Sequence, residues 1–383
     1  MNFGIICEFN PFHDGHAYLF SEARRLGAKN IVCAMSGNAV QRGELAIIDK
    51  YPRAASALKR GANLVLELPF PWSSASAEYF ASAGIKALSP YCDAVIFGSE
   101  CGDIELLKRA ACSALTPEFC KEYDERKRQG EGAAAAYFDM LRKASGVDFS
   151  SNDVLGIEYI KAAARLGLEL EFYTVKRIGN AYRDDNIHDS QIPSASAIRR
   201  EIMADNGEML SAFEKDIGSS LEGELTDISL VEKAMLLYFR LADAEELSRY
   251  AEADGGVAER ICSVARESTD IESFWNLLRT KRYTDAKLAR AVIFSMTRAT
   301  QELLSKDPEY LYLLAADESG RALLTSVRKG GGTTIPIVTK PADAPSGGAQ
   351  FAVEERLNSL FSLARKNAYA VGDSYKKNAF IIK

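Results

Sequence analysis

Two of the three histidines in this 383-residue chain lie three residues apart near its start, on either side of Gly15. His13 and His16 belong to the stretch 10–16, which follows a short apolar run and precedes an amphipathic segment. Residues three apart on a helix face the same side, so both imidazoles can be directed at one ligand. Positioned N–H donors stabilise the negative charge that develops on a phosphate under attack, which predicts that both histidines are catalytic.

The order of elements around this stretch also indicates a phosphate site. Residues 2–8 are predicted to form a strand, 10–15 a turn and 16–26 a helix, so the histidines lie where an open α/β sheet binds ligands. A helix start offers unpaired N–H groups and a partial positive charge to an anion. The alternative, that both histidines are ordinary capping residues, accounts poorly for their place beside a glycine directly after the first strand.

A second stretch about 180 residues later has the residue types that a pyrophosphate leaving group needs. Residues 194–199 open a predicted helix and carry Ser194, Ser196 and Arg199. Taken alone, the serines are good helix caps and Arg199 is a surface charge. Together with the histidines, Ser196 and Arg199 are predicted to hold the β- and γ-phosphates of a nucleotide as catalytic residues.

Three further positions lie at predicted strand ends and helix starts. Gly98 ends a strand, Asn152 begins a helix and Arg177 follows a strand. Each also has a simpler explanation, as a turn residue, a cap and a surface charge respectively. Because ligands of parallel sheets bind at such ends, we predict that all three belong to the site.

Composition narrows the class of protein. Apolar residues make up 47% and charged residues 26% of the chain, as in ordinary globular proteins. No apolar run approaches the roughly 20 residues that span a bilayer, and no signal peptide is recognisable, so we expect a cytoplasmic protein without membrane contact. The seven cysteines are scattered and form no CxxC pair, so we expect reduced thiols and no metal site.

The net charge of −6 argues against general affinity for nucleic acid but leaves room for a local basic face. The candidates for that face are Arg321, Arg328, Lys329, Arg365, Lys366, Lys376 and Lys377.

The pattern of elements predicts an α/β protein with three regions. Residues 1–204 alternate strands and helices, typical of a Rossmann-like parallel sheet wrapped on both faces. Within them, residues 118–146 are expected to be helical and 179–193 to form a functional loop. Residues 205–305 are expected to be helical. Residues 306–383 are expected to form a small C-terminal α/β segment, in which the glycines at 330–332 separate a helix from a strand.

The chain resembles a known family, the bacterial tRNA(Met) cytidine acetate ligases, which are a branch of the HxGH nucleotidyltransferases. The likeness spans nearly the whole chain and weakens beyond residue 300. It rests on residues 9–16, 36–38 with 41–44, 67–70, 97–100, 151–159, 177–179, 194–199 and 280–284.

The resemblance implies a reaction and a binding site. ATP and acetate would form acetyl-adenylate, and the exocyclic amine of the wobble cytidine in elongator tRNA(Met) would take the acetyl group to give N4-acetylcytidine. Mg²⁺ would accompany the phosphates, and the helical and C-terminal regions would contact tRNA; the oligomeric state is not implied. The ATP-binding residues implied are Cys7, Glu8, Phe9, Asn10, Pro11, Phe12, His13, Asp14, Gly15, His16, Ala17, Tyr18, Leu19, Phe20, Gly98, Asn152 and Arg177.

Two other functions fit the residues. One is adenylyl transfer to a phosphorylated small molecule, although the roughly 180 residues beyond the first region favour a macromolecular substrate. The other is a nucleotide- or RNA-binding protein that has lost catalysis, which the complete set of His13, Gly15, His16 and Arg199 disfavours.

Overall fold

The computed structural model describes residues 1–177, 194–204, 210–211, 213–215, 220–331 and 335–382. A single mixed sheet runs through it. Its strands are β1 Asn2–Cys7, β2 Asn30–Ser36, β3 Leu64–Leu68, β4 Ala94–Ser99, β5 Glu171–Lys176, β6 Leu311–Ala316, β7 Ile337–Val338 and β8 Phe380–Ile381. The strand order is β5-β4-β1-β2-β3-β6-β7, with β8 also paired to β6.

The first five strands are parallel to one another, as the sequence predicts. In β2 and β3 every residue is buried. Parallel strands covered on both faces read as continuous apolar runs, because neither face meets water. Two buried clusters, one around Leu66 and one around Ile31, form the core of the sheet region.

Eight helices of residues 1–204 are described, and the first begins two residues before its predicted start at residue 16 and ends one residue before residue 26. Residues 118–146 form two helices separated at Gly130, which has a φ of 91°, and these two pack on each other. The eight are α1 Asp14–Arg25, α2 Lys50–Lys59, α3 Ala77–Leu88, α4 Ile104–Ala114, α5 Pro117–Arg128, α6 Ala133–Ser145, α7 Ser151–Arg165 and α8 Ala195–Met203. The loop predicted at 179–193 lies outside the described residues.

The described part of residues 205–305 is helical, with its own buried cluster around Phe239 and Phe274. Its helices are α9 Glu232–Leu241, α10 Ala244–Leu247, α11 Val257–Glu267, α12 Ile271–Leu278, α13 Asp285–Thr297 and α14 Gln301–Leu304. Residues 248–250 depart from the predicted helical region, because α10 ends at Leu247 and Tyr250 forms an antiparallel bridge with Thr300.

The C-terminal region adds strands to the first sheet. β6 lies antiparallel to β3, and β7 and β8 pair with β6. Helices α15 Glu318–Lys329 and α16 Ala349–Leu363 complete the region. A buried polar network joins the two regions: Lys50 contacts Glu67 at 2.5 Å, and the charge of Glu67 acts on Glu354 of α16. Residues 306–383 and 1–204 therefore share one sheet, whereas the predicted domain boundaries stay a prediction.

Candidate active site

The start of α1 holds the two predicted histidines in contact with each other. His13 is the N-cap residue, and its Nδ1 accepts a hydrogen bond of 3.0 Å from the backbone N–H of Gly15. The backbone N–H of His13 donates in turn to Nδ1 of His16 at 3.2 Å. The ring centroids are 3.9 Å apart. This reciprocal cap fixes both rings, because each Nδ1 has a backbone partner.

These contacts settle which nitrogen of each ring carries the proton. Burial, followed by the charge of Arg177, lowers the pKa of His13 to about 4. Burial and the neighbouring His13 lower the pKa of His16 well below its ordinary value. Both rings are therefore neutral at pH 7, and since each Nδ1 accepts, each Nε2 carries the hydrogen. The pair presents two uncharged N–H donors beside the N-terminus of α1.

Aromatic side chains fix the second ring. Phe9 and Phe12 lie 4.9 and 5.4 Å from the ring of His16, centroid to centroid, and Phe20 packs against both phenylalanines. All three phenylalanines are buried. Cys7 is buried too, and its Sγ–H donates a hydrogen bond of 3.7 Å to the backbone carbonyl of Ala34. Several residues of the implied ATP-binding stretch 7–20 thus shape the site from the core side.

Two arginines hold the turn after β1. Arg53 donates to the carbonyl of Glu8 at 2.5 Å, and Arg199 donates to the carbonyl of Asn10 at 2.9 Å. Phe9, between them, has a φ of 44°, which is strained for a residue with a side chain. Such strain persists only where the surroundings impose it, and here both flanking carbonyls are held.

The predicted helix at 194–199 lies against this turn. Ser194 is the N-cap of α8 and accepts from the N–H of Ala197 at 3.2 Å. That leaves the hydroxyl of Ser196 for Arg199, whose Nη2 lies 3.4 Å away. The structure therefore brings Ser196 and Arg199 to the histidine turn, 189 residues from Asn10 along the chain.

Glu100 contacts two of the three positions predicted at strand ends and helix starts, Asn152 and Arg177. Its Oε1 accepts from Asn152 at 2.6 Å and lies 3.3 Å from Nε of Arg177. A Cβ at Gly98 would meet Cγ of Arg177 at 3.3 Å, so the glycine lets the arginine lie close to the strand. The charge of Arg177 lowers the pKa of both His13 and His16, which places it beside the pair.

Arg53 is a site residue that sequence reasoning missed. Its side chain is fully buried, and it donates to the carbonyls of Ile48, Glu8, Ser36 and Gly37. Burial lowers its pKa to about 10, so it remains a cation at neutral pH. These hydrogen bonds hold the carboxyl ends of β1 and β2. An arginine that interrupts an alanine-rich helix was the only signal in the sequence.

The prediction that Arg365 belongs to an exposed basic face is wrong. Arg365 is 3% exposed and pairs with Glu224. Lys377 is tied to Asp49 at 2.7 Å. Arg328 and Lys329 are exposed at the end of α15 and remain candidates.

Comparison with known proteins identifies the class. A family model described as HIGH Nucleotidyl Transferase matches residues 1–375, and the chain belongs to this class. A relative from Acetivibrio thermocellus named tRNA(Met) cytidine acetate ligase is 33% identical over 371 residues, covering 89% of this chain and 88% of the relative. A protein of the same name from a Thermoanaerobacter species is 30% identical over 390 residues, covering 96% of each chain. Within the class, this chain belongs to the tRNA(Met) cytidine acetate ligase family.

A solved structure agrees with that assignment. The crystal structure of Thermotoga maritima TmcAL bound with alpha-thio ATP matches with a TM-score of 0.86 and 28% identity over the full length of both chains. The resemblance and the fold class predicted from the sequence are thereby confirmed. The roles of the individual site residues stay predictions. Among the described residues, no helix is long and apolar enough to cross a membrane.

Proposed function

We propose that this protein is an ATP-dependent acetate ligase that acetylates the wobble cytidine of elongator tRNA(Met). The observation that carries the proposal is the pair of neutral Nε2–H donors of His13 and His16 beside a helix start, with Arg199 of α8 donating to the carbonyl of Asn10 in the same turn. The names of its relatives and the ATP analogue in the solved neighbour support the choice of substrates.

The first step is adenylation. An acetate oxygen attacks the α-phosphorus of ATP, the bond to the bridging oxygen breaks, and pyrophosphate leaves. The two Nε2–H groups donate to the α-phosphate oxygens, where charge builds up in the transition state. Neutral donors suit this role, because they need not lose or gain a proton during the step. Arg199 and Ser196 hold the β- and γ-phosphates of the leaving group.

Arg177 and Asn152 complete the nucleotide site in this proposal. Both contact Glu100, so they form one connected set at the ends of β4 and β5 and the start of α7. Gly98 gives backbone access beside them. Residues 7–20, with Gly98, Asn152 and Arg177, thus form the proposed ATP site.

Mg²⁺ is proposed to arrive with ATP. Among the described residues, no group of three His, Cys, Asp or Glu side chains is placed to hold a metal ion. Mg²⁺ commonly keeps several waters and binds through substrate phosphates, so the donor set needed here is mainly that of ATP itself. When bound, the ion neutralises phosphate charge.

The second step is acyl transfer to RNA. The cytidine N4 nitrogen attacks the carbonyl carbon of acetyl-adenylate, and AMP leaves. A mixed anhydride acylates this weak nucleophile once the two are held together. Unpaired anticodon bases can be splayed into a pocket, and an RNA covering the site would exclude water. The helical and C-terminal regions are proposed to contact the tRNA, and a cytoplasmic location follows from that substrate.

The proposal is tested by incubating the protein with ATP, labelled acetate and unmodified elongator tRNA(Met), then digesting the RNA for mass analysis. Labelled N4-acetylcytidine is expected. Other carboxylates and a tRNA with a different wobble base serve as controls. If the protein instead transfers AMP to a phosphorylated small molecule, so that a dinucleotide accumulates, tRNA is not the acceptor. ATP binding without pyrophosphate release would indicate a protein that only binds.

A further inference from the structure

Glu8 is a carboxylate within the proposed ATP-binding stretch 7–20, and the adenylation step assigns it no proton transfer. It follows the last residue of β1 and is partly buried. Its Oε1 accepts a hydrogen bond of 3.0 Å from the backbone N–H of Gln41. No described residue donates a hydrogen bond to its Oε2. The described residues therefore hold the carboxylate through one oxygen.

The position of Glu8 is tied to the proposed phosphate site through Arg199. The charge of Arg199 acts on Glu8 and on His13 alike, lowering the pKa of each. Arg199 also donates to the carbonyl of Asn10, two residues after Glu8. The carboxylate and the histidine pair thus lie on the same short turn, near one shared cation.

Glu44, the other carboxylate near Arg199, differs from Glu8. It lies 3.8 Å from the Arg199 guanidinium, and its side chain is 54% exposed. Its charge is therefore already partnered and solvated. Glu8 is partly buried instead, and its Oε1 is bound by the backbone N–H of Gln41.

We propose that Glu8 receives the exocyclic amine of the acceptor cytidine and takes its proton during acyl transfer. The inference rests on the proposed function. The N4 nitrogen forms a bond to the acetyl carbon, the bond from that carbon to the AMP oxygen breaks, and AMP leaves with the electron pair. The proton that the nitrogen loses passes to Oε2 of Glu8. A carboxylate is also the group that accepts from cytosine N4–H, whereas uracil offers a carbonyl oxygen there.

The surroundings of Glu8 adjust its basicity. Burial, the largest effect, raises its pKa, and the Gln41 hydrogen bond and the charge of Arg199 lower it in part. Glu44 raises it and Arg42 lowers it from the same loop. The net shift is upward, which brings the carboxylate closer to the working pH of a general base.

The remaining charged or titratable groups that act on Glu8 come from three elements. They are Cys7 of β1, Arg53 of α2 and Tyr159 of α7. At neutral pH, Cys7 and Tyr159 stay protonated because burial raises the pKa of each.

The test measures adenylation and acyl transfer separately in the variant Glu8→Gln. This substitution keeps a side-chain oxygen that can accept from the Gln41 N–H. Acetate-dependent exchange between ATP and pyrophosphate reports adenylation, and a single-turnover assay with tRNA reports transfer. We expect transfer to fall by about 100-fold or more, and by at least ten times as much as exchange. The transfer rate of the unaltered protein rises with pH as Glu8 loses its proton, and the variant lacks that rise.

Glu44→Gln is the matched control, since it removes a carboxylate from the same edge. We expect it to change exchange and transfer in the same proportion. If Glu8→Gln also lowers both steps in proportion, Glu8 acts in adenylation and the inference is overturned; unchanged transfer overturns it as well. A failure of the proposed function is distinguishable, because the unaltered protein would then not acetylate the tRNA at all.

A second readout does not depend on turnover. Elongator tRNA(Met) transcripts with cytidine or uridine at the wobble position are compared as competitive binders. The unaltered protein is expected to prefer cytidine, and Glu8→Gln to lose most of that preference, because an amide can serve either base. Equal preference in both proteins would contradict recognition by Glu8.

Discussion

Arg199 of α8 donates a 2.9 Å hydrogen bond to the backbone carbonyl of Asn10, and this contact joins two parts of the chain 189 residues apart. It brings the helix start at Ser194 to the histidine turn. The same guanidinium lies 3.4 Å from Ser196 and 3.8 Å from Glu44. One arginine thus connects the turn, the helix start and the loop at 41–44.

Arg199→Ala should lower acetate-dependent ATP–pyrophosphate exchange by about 100-fold or more, because a fixed cation for the leaving group is lost. Arg199→Lys should recover only part of the rate, since an ammonium cannot reproduce the two-pronged contact to Asn10 and Ser196. Arg249→Ala, whose exposed side chain lies 3.7 Å from Glu245 in the helical region, is the control and should stay close to the unaltered rate. Equal losses in Arg199→Ala and Arg249→Ala would argue against a specific role.

Arg53→Met should destabilise the fold and also weaken ATP binding. Removing the guanidinium leaves four carbonyls without their donor, at a cost of about 3–5 kcal/mol in unfolding free energy. Lys161→Met is the control, because Lys161 forms a comparably buried pair with Glu158 at 2.8 Å, away from the histidine turn. Both variants should unfold earlier in urea. Only Arg53→Met, assayed well below its unfolding midpoint, should bind ATP several-fold more weakly.

The histidine pair predicts a specific loss of stability in mild acid. The folded-state pKa of His13 is about 4, against 6.5 ordinarily, so between these values the unfolded chain takes up a proton that the folded chain does not. The stabilisation is complete above pH 6.5 and is lost as the pH falls towards 4. His13→Gln should therefore lose less stability between pH 7 and pH 5, by about 2 kcal/mol. Urea unfolding at both pH values measures this, and equal losses would contradict the assignment.

Gly43→Ala should disturb the loop that carries Gln41 and Glu44. Gly43 has a φ of 80°, and a Cβ there would lie 2.6 Å from the backbone carbon of Ala289 in α13. Gly146, with a φ of 73° and open space around a Cβ, is the control for strain alone. Gly146→Ala should cost about 1 kcal/mol in unfolding free energy, and Gly43→Ala about 1–3 kcal/mol more, with reduced acetylation. Equal costs would show that the helical region does not brace the loop.

Local patterns in the sequence were enough for the first sheet and for the start of α1. The first strand was predicted at 2–8 and is observed at Asn2–Cys7, because a short apolar run before a turn marks a buried parallel strand. The reciprocal cap of His13 and His16 follows from a three-residue spacing at a helix start, which is a local property. Ser194 was one of two serines that could cap α8, and only the structure distinguishes it from Ser196.

Features that depend on distant contacts could not be predicted in this way. Arg53 is a site residue because its side chain reaches from α2 to the carbonyls of Glu8 and Ser36 at the ends of β1 and β2. No local pattern reveals which carbonyls a buried arginine will meet. Arg365 was expected at the surface, yet it is buried against Glu224, since charge alone does not report burial. The antiparallel place of β6 beside β3 likewise depends on how the C-terminal region returns to the sheet.

The most direct test of adenylate formation at the histidine pair is acetate-dependent exchange of labelled pyrophosphate into ATP. The exchange is measured with the unaltered protein and with His16→Gln, in the presence and absence of tRNA. We expect exchange that requires acetate and that falls by about 100-fold or more in His16→Gln, because one of the two neutral donors to the α-phosphate is lost. No exchange under any of these conditions, or exchange that His16→Gln leaves intact, would contradict an adenylate formed at the histidine pair.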